Sequence, residues 1–104
     1  MSKATIHNGT IYLCGQVGSG DDITAQTKDC LSRIDAALIE AGSNKEHILQ
    51  AIIWLADIAD FDGMNAVWDE WVPTGKPPAR ATGAVGLAKE THRIEIVITA
   101  AVPG

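Results

Sequence analysis

The segment Arg93–Val102 constrains the fold most strongly, because its residues alternate between two kinds of side chain with a period of two. Such alternation predicts a β-strand whose two faces meet different surroundings. One face carries Ile94, Ile96, Ile98, Ala100 and Val102, and the other carries Arg93, Glu95, Val97, Thr99 and Ala101. A sheet built around this strand therefore needs cover over its isoleucine face, whereas its second face is only half apolar.

Two amphipathic helices are predicted to provide that cover. Asp21 and Asp22 are N-cap candidates for the first helix, and Gly42 is suited to end it in the left-handed conformation. The apolar positions of this helix, which repeat about every 3.6 residues, are Ile23, Cys30, Leu31, Ile34, Ala37, Leu38 and Ala41. The second helix, which ends before Pro73, carries Phe61, Met64, Val67, Trp68 and Trp71 at helical spacing.

The remaining elements are predicted from turn signals and apolar runs. The strand candidates are Ala4–His7, Thr10–Leu13, Ile48–Leu55, Ala79–Val85 and Arg93–Val102. Asn8-Gly9 predicts a tight hairpin, and the long apolar run Ile48–Leu55 is typical of a strand buried on both faces. Ser43 with Glu46 predicts a capping box. The resulting order, β-β-α-β-α-β-β, predicts one α+β domain over residues 1–104, with a mixed sheet covered on one face by two helices.

The uncovered sheet face predicts a partner chain. Hydrophobic residues form 46% of the 104 residues, and the mean hydropathy is +0.08, which is apolar for a domain of this size. Two helices cover only one face of a sheet, while the other face of the last strand carries Val97 and Ala101. We therefore expect an oligomer that packs sheet against sheet.

The charge balance excludes several classes of partner. The chain has 8 Lys and Arg against 13 Asp and Glu, a formal net charge of −5, and its cations are scattered. Such a surface repels phosphate, so nucleic-acid binding is not expected. No apolar run is long enough for a bilayer, and no secretion signal opens the chain, which favours a cytoplasmic location. In that compartment Cys14 and Cys30 are expected to be free thiols, although a disulfide is possible in principle.

No pattern indicates a metal or a cofactor. The histidines His7, His47 and His92 lie on separate predicted elements without ligand spacing. The glycine-rich segment Gly15–Gly20 lacks the Lys-Ser/Thr pair of a P-loop and the third glycine of a dinucleotide fingerprint. We therefore predict neither a metal site nor a cofactor.

Two charged residues in unusual surroundings are the candidate functional residues. Arg80 lies in the small, apolar segment Pro77–Gly83, where its guanidinium has room to bind a carboxylate through two hydrogen bonds. The alternatives are a surface arginine or one paired with a protein carboxylate. Glu95 lies between Ile94 and Ile96, and burying a carboxylate is costly without a partner. It is therefore paired, exposed or functional.

Several blocks of the chain carry a family resemblance. They are Asn8–Gln16, Gln26-Thr27, Ala41–Ser43, Asp60-Phe61, Met64-Asn65, Pro78–Arg80, and Ile94–Ile96 leading to Ala100. With these blocks correctly spaced over essentially the whole chain, the sequence resembles the RidA/YjgF family of reactive-intermediate deaminases, also known as translation inhibitors or endoribonuclease L-PSP. The Trp68–Trp71 stretch and the short N-terminus are more similar to a YoaB-like branch than to the best-studied members.

The resemblance implies a chorismate-mutase-like fold that forms a homotrimer with a cleft between each pair of subunits. Family members hydrolyse enamines and imines, such as 2-aminoacrylate and 2-aminocrotonate, to 2-keto acids and ammonia without a cofactor or a metal. By resemblance, Arg80 binds the substrate carboxylate and Glu95 positions or activates water. Gly15 lines the pocket with its backbone, and Cys14 stands where serine is common.

Two further positions follow from the resemblance: Asn65 of the second helix belongs to the pocket, and Thr82 stands where many members have cysteine. The N-terminal segment that supplies a pocket tyrosine in longer members is missing, and Tyr12 is not at that position. A wider pocket or a different substrate is therefore expected. A non-catalytic sensor that binds small carboxylates in the same cleft is the main alternative. A ribonuclease is disfavoured because the chain is acidic.

Overall fold

The computed structural model describes residues 1–104 and confirms the predicted order of elements. Its strands are β1 (Ala4–His7), β2 (Thr10–Leu13), β3 (Ile48–Leu55), β4 (Ala79–Ala84) and β5 (Ile94–Ala101), and its helices are α1 (Ile23–Glu40) and α2 (Phe61–Trp71). Short 3₁₀ turns at Lys45–His47 and Ile58–Asp60 precede β3 and α2. No helix is both long enough and apolar enough to cross a membrane.

The five strands form one mixed sheet in the order β1-β2-β5-β3-β4. All neighbours are antiparallel except β3 and β4, which run parallel because α2 connects them as a crossover. β5 lies in the centre of the sheet, between β2 and β3. The strands β1 and β4 form the two edges, so Arg80 is on an edge strand.

Local signals in the sequence set the ends of these elements. Asn8 and Gly9 both have positive φ angles, 49° and 77°, so the predicted tight hairpin between β1 and β2 is confirmed. The Asp22 carboxylate caps α1 by accepting from the Ala25 N–H at 2.8 Å. Gly42, with φ of 87°, ends the helix as predicted.

The core lies between the two helices and one face of the sheet. Its largest fully buried side chains are Ile11, Leu31, Ile34, Leu38, Ile53, Leu55, Met64, Ile94, Ile96 and Ile98. The predicted alternation along β5 is confirmed, since its even-numbered residues are fully buried and its odd-numbered residues half-buried.

The prediction that β3 is buried on both faces is wrong. Leu49 and Trp54 are 51% and 37% exposed, because both helices pack on the same face of the sheet and share one core with it. A β-bulge between Ile48 and Gln50 shifts the register against β5, so that Ile48, Ala51 and Ile53 all reach the core. The apolar run of β3 therefore supplies residues to two different surfaces.

The predicted capping box at Ser43 is also wrong. Ser43 is buried and donates its hydroxyl to the Ala101 carbonyl at 2.6 Å, which ties the end of α1 to β5. Asn44 caps the following 3₁₀ turn instead, because its Oδ1 accepts from the Glu46 N–H at 2.9 Å. Ser43 therefore connects the end of α1 to the sheet, and Asn44 caps the turn that follows.

The second face of the sheet, which we call the open face, carries several apolar side chains. Tyr12 is 50% exposed, and Ile52 and Val97 are half-buried. The Trp54 indole lies over Gly83, so close that a Cβ at position 83 would be only 3.1 Å from the ring. An apolar surface of this kind is typical of an interface.

Candidate functional site

Arg80 lies on the helix-covered face of the sheet, because it pairs in register with Ala51, which is fully buried. Its Nη1 donates to the Asn65 Oδ1 at 2.6 Å. Its guanidinium carbon is 5.7 Å from the Phe61 ring centroid and 5.5 Å from that of Trp68. The half-buried Arg80 forms no ion pair with a carboxylate of this chain, so its positive charge is held by a neutral amide and two aromatic rings.

Thr82 is on the same face as Arg80 and two residues further along β4, where it pairs with the buried Ile53. Its hydroxyl oxygen is buried and has no hydrogen-bond partner in the chain. A buried hydroxyl without a partner is uncommon and costly. Arg80, Asn65 and Thr82 together form a polar group between β4 and α2, which we call the Arg80 group.

Glu95 lies on the open face, because it pairs in register with the exposed Trp54. Its carboxylate rests on Gly15: a Cβ added there would be 2.6 Å from the Glu95 Oε2. Any larger residue at position 15 would therefore push the carboxylate away. Glu95 is half-buried and forms no ion pair or side-chain hydrogen bond in the chain, which leaves its oxygens free to accept from a ligand or water.

The loop after β2 holds Gly15 against β5. Gln16 exchanges backbone hydrogen bonds with Ile96 at 2.9 and 2.8 Å, which fixes the loop beside Glu95. The Gln16 side-chain amide donates to the Cys14 carbonyl and contacts its sulfur, both at 3.3 Å. Cys14, Gly15 and Glu95 thus form a second group, which we call the Glu95 group.

A groove of about 680 Å³ lies beside Cys14 and Gly15, between β1 and α1. It is lined mainly by apolar residues, with Lys3 and Arg33 among its polar ones. The half-buried Cys14 borders this groove, whereas Cys30 is fully buried and donates to the Gln16 carbonyl at 3.1 Å. Burial raises the pKa of the Cys30 thiol to about 12, so this thiol is protonated and unreactive at neutral pH.

The structure brings the predicted site residues together in two groups rather than one. β3 lies between β5 and β4, and Arg80 and Glu95 are on opposite faces of the sheet. No cluster of three or more His, Cys, Asp or Glu side chains is arranged to hold a metal ion. The sequence did not predict the contacts of Phe61 and Trp68 with Arg80. The spacing of these two residues with Asn65 does indicate that all three share one face of a helix.

Comparisons with known proteins identify similar sequences and structures. Residues 1–102 match the family model described as Endoribonuclease L-PSP. The chain is 46% identical over 102 residues to the RutC family protein YoaB of Escherichia coli strain K12, which covers 97% of this chain and 90% of that protein. It is 32% identical over 108 residues to the putative regulator AldR of Lactococcus lactis, covering 96% and 85% of the two chains.

The solved structures agree with the sequence comparisons. The crystal structure of NMB1025, a member of the YjgF protein family from Neisseria meningitidis, matches with a TM-score of 0.98 at 45% identity. The match covers 100% of this chain and 88% of that one.

Proposed function

Because the chain belongs to the Endoribonuclease L-PSP family, whose members are also called YjgF and RutC proteins, we propose that it is an enamine and imine deaminase. Its substrates are small carboxylates of the 2-aminoacrylate and 2-aminocrotonate type, and its products are 2-keto acids and ammonia. The chorismate-mutase-like fold of the family, predicted from the resemblance, is confirmed for this chain.

The observation that carries this proposal is the unpaired charge of Arg80. The guanidinium is held in a half-buried position without a protein carboxylate, which suits it to bind the carboxylate of a substrate. Glu95 is the complementary feature, because its carboxylate rests on Gly15 and forms no hydrogen bond within the chain. A substrate that contacts both residues needs them in the same cleft.

We place that cleft between two subunits of a homotrimer. Within one chain, the Arg80 group and the Glu95 group lie on opposite faces of the sheet, so a single subunit supplies only part of the site. The open face, with Tyr12 and Trp54 exposed, provides the apolar surface for the association. In this arrangement the Arg80 group of one subunit meets the Glu95 group of its neighbour.

The chemistry is a hydrolysis in which water replaces the nitrogen. An enamine first becomes an imine by gaining a proton on carbon and losing one from nitrogen. Water then adds to the imine carbon while Glu95 accepts one of its protons. Return of that proton to the nitrogen gives a carbinolamine, which carries a hydroxyl and an amino group on the same carbon. Transfer of the hydroxyl proton to the nitrogen then releases ammonia as the C–N bond breaks and the C=O bond forms. In this mechanism, backbone N–H groups near Gly15 and Thr82 stabilise the charge that develops on the oxygen.

The test is a coupled assay in which a pyridoxal-phosphate dehydratase releases 2-aminocrotonate and semicarbazide competes to trap it. The protein should divert the intermediate to the keto acid. Arg80→Ala should abolish the effect while the trimer remains intact, and Glu95→Gln should slow it by roughly 10²–10⁴-fold. Arg33→Ala is the matched control, because Arg33 is an exposed arginine paired with Asp29 at 2.9 Å.

No diversion by a folded trimer would refute the deaminase proposal. So would full activity of the Arg80→Ala variant, because carboxylate binding by Arg80 is its central premise.

A second candidate is a ligand-binding regulator that uses the same cleft without turnover. The observation that favours it is the likeness to a protein named as a putative regulator, AldR of Lactococcus lactis. A keto acid that raises the melting temperature through Arg80, in a protein that diverts no enamine, would support this candidate over the enzyme.

A further inference from the structure

We infer that three residues of α2, Phe61, Asn65 and Trp68, hold the Arg80 guanidinium in one orientation and leave one of its edges free for a carboxylate. This inference rests on the proposed function, because it assigns positioning residues to the same site. We call these three residues the α2 stripe. Phe61 and Trp68 have no role in the sequence prediction of the site, and Asn65 is there a substrate-binding residue.

The α2 stripe follows from helical geometry. Phe61, Asn65 and Trp68 are separated by four and three residues, so their side chains lie on the same face of α2. That face points towards β4, where Arg80 is placed by its register with Ala51. The crossover connection from β3 through α2 to β4 therefore brings the stripe and the arginine together.

The two rings restrict the position of the guanidinium. Its central carbon is 5.7 Å from the Phe61 ring centroid and 5.5 Å from the Trp68 ring centroid, within the usual range of a cation–π contact. Trp68 is only 4% exposed and cannot easily move away. A flexible arginine side chain would have to be ordered when a substrate binds, whereas this one is ordered beforehand.

Asn65 determines which edge of the guanidinium is free. Its Oδ1 accepts from the Arg80 Nη1 at 2.6 Å, while its Nδ2 lies 3.4 Å from the Asp69 carboxylate, which favours this orientation of the amide. The Nε and Nη2 donors of Arg80 form no hydrogen bond within the chain. Those two nitrogens form one fork of the guanidinium, and a fork binds both oxygens of a carboxylate.

The choice of a neutral amide also preserves the charge of the arginine. An aspartate at position 65 would hold the guanidinium equally well but would neutralise it and compete with the substrate carboxylate. We therefore assign Asn65 and Trp68 as positioning residues for Arg80.

The experiment measures the affinity for 2-oxobutyrate by calorimetry and the kinetic constants in the coupled assay. Trp68→Leu should weaken binding of the keto acid about tenfold, as expected for the loss of a desolvated cation–π contact. Trp68→Phe, which keeps an aromatic ring, should restore most of the affinity. Because carboxylate binding is shared by the ground state and the transition state, KM should rise while kcat changes little.

Asn65→Asp provides an independent arm, since it alters charge with almost no change in shape. It should weaken binding more than Trp68→Leu does, with only a small change in stability, because the new ion pair with Arg80 offsets the repulsion between positions 65 and 69. Trp71→Phe is the control for general damage to α2: Trp71 contacts Trp68, with ring centroids 5.4 Å apart, but does not contact Arg80. The Trp71→Phe variant should have a lower melting temperature but an unchanged affinity for 2-oxobutyrate.

The outcomes separate this inference from the proposed function. If the unaltered protein neither binds 2-oxobutyrate nor diverts the enamine, the proposed function fails and the inference fails with it. If the unaltered protein does both, and Trp68→Leu and Asn65→Asp match it in affinity and KM, only the inference is overturned.

Discussion

The buried side chain of Gln26 offers a stringent test of what holds the loops of the site in place. Gln26 is 5% exposed and bridges two loops that are far apart in sequence. Its Nε2 donates to the carbonyls of Gly20 at 3.1 Å and Thr91 at 2.9 Å, and its Oε1 accepts from the Arg93 N–H at 2.8 Å. The bridge therefore fixes the start of β5, two residues before Glu95.

Replacing Gln26 with methionine removes all three hydrogen bonds while nearly keeping the shape of the side chain. At a net value of about 1 kcal/mol for each hydrogen bond, the free energy of unfolding should fall by about 3 kcal/mol. A domain of this size loses roughly 4–8 °C of melting temperature per kcal/mol, so the transition should move down by roughly 12–24 °C.

The measurement is urea and thermal unfolding at one fixed protein concentration, because association contributes to the stability of an oligomer. Lys28→Met is the matched control: it introduces the same residue on an exposed position of the same helix, where no hydrogen bond is lost. Its effect should stay within about 0.5 kcal/mol. If Gln26→Met destabilises the protein no more than this control does, the reasoning about the bridge is refuted.

Three further predictions follow from other parts of the structure. Gly15→Ala should lower kcat with little loss of stability, because the added Cβ would displace the Glu95 carboxylate; unchanged kcat in the coupled assay would contradict this. Above pH 9, the free energy of unfolding should fall as pH rises, because Cys30 has a pKa of about 12 in the folded protein and ionises at a lower pH in the unfolded chain. Urea titrations at several pH values should show a smaller fall in the free energy of unfolding for Cys30→Ala than for the unaltered protein. If the chain forms the proposed homotrimer, Trp54→Glu should place a charge on the open face and produce monomers, as measured by light scattering; an oligomer that persists would show that this residue lies outside the interface.

Much of the fold could be predicted from the sequence because its signals are local. The alternation along β5, the Asn8-Gly9 turn and the spacing of apolar residues in the helices each depend on neighbouring residues only. The bulge in β3 could not be predicted in this way. It depends on how Ile48 and Gln50 pair with another strand, which is a property of the assembled sheet.

The candidate site could likewise be predicted only in part. Arg80 and Glu95 stand out in the sequence because charged residues are uncommon in such apolar surroundings. Their placement on opposite faces depends on the register of three strands, and spacing along the chain does not contain this information. The spacing of Phe61, Asn65 and Trp68 places them on one face of a helix, but their proximity to Arg80 depends on the parallel crossover, which brings that face to an edge strand.

The division of the site between two faces of the sheet has a genetic consequence. If each cleft takes Arg80 from one subunit and Glu95 from its neighbour, an inactive Arg80→Ala chain and an inactive Glu95→Gln chain carry complementary defects. Unfolding and refolding the two chains together would create mixed rings, in which some clefts receive an intact residue from each side. Two alleles without activity of their own would then restore part of the activity when expressed together.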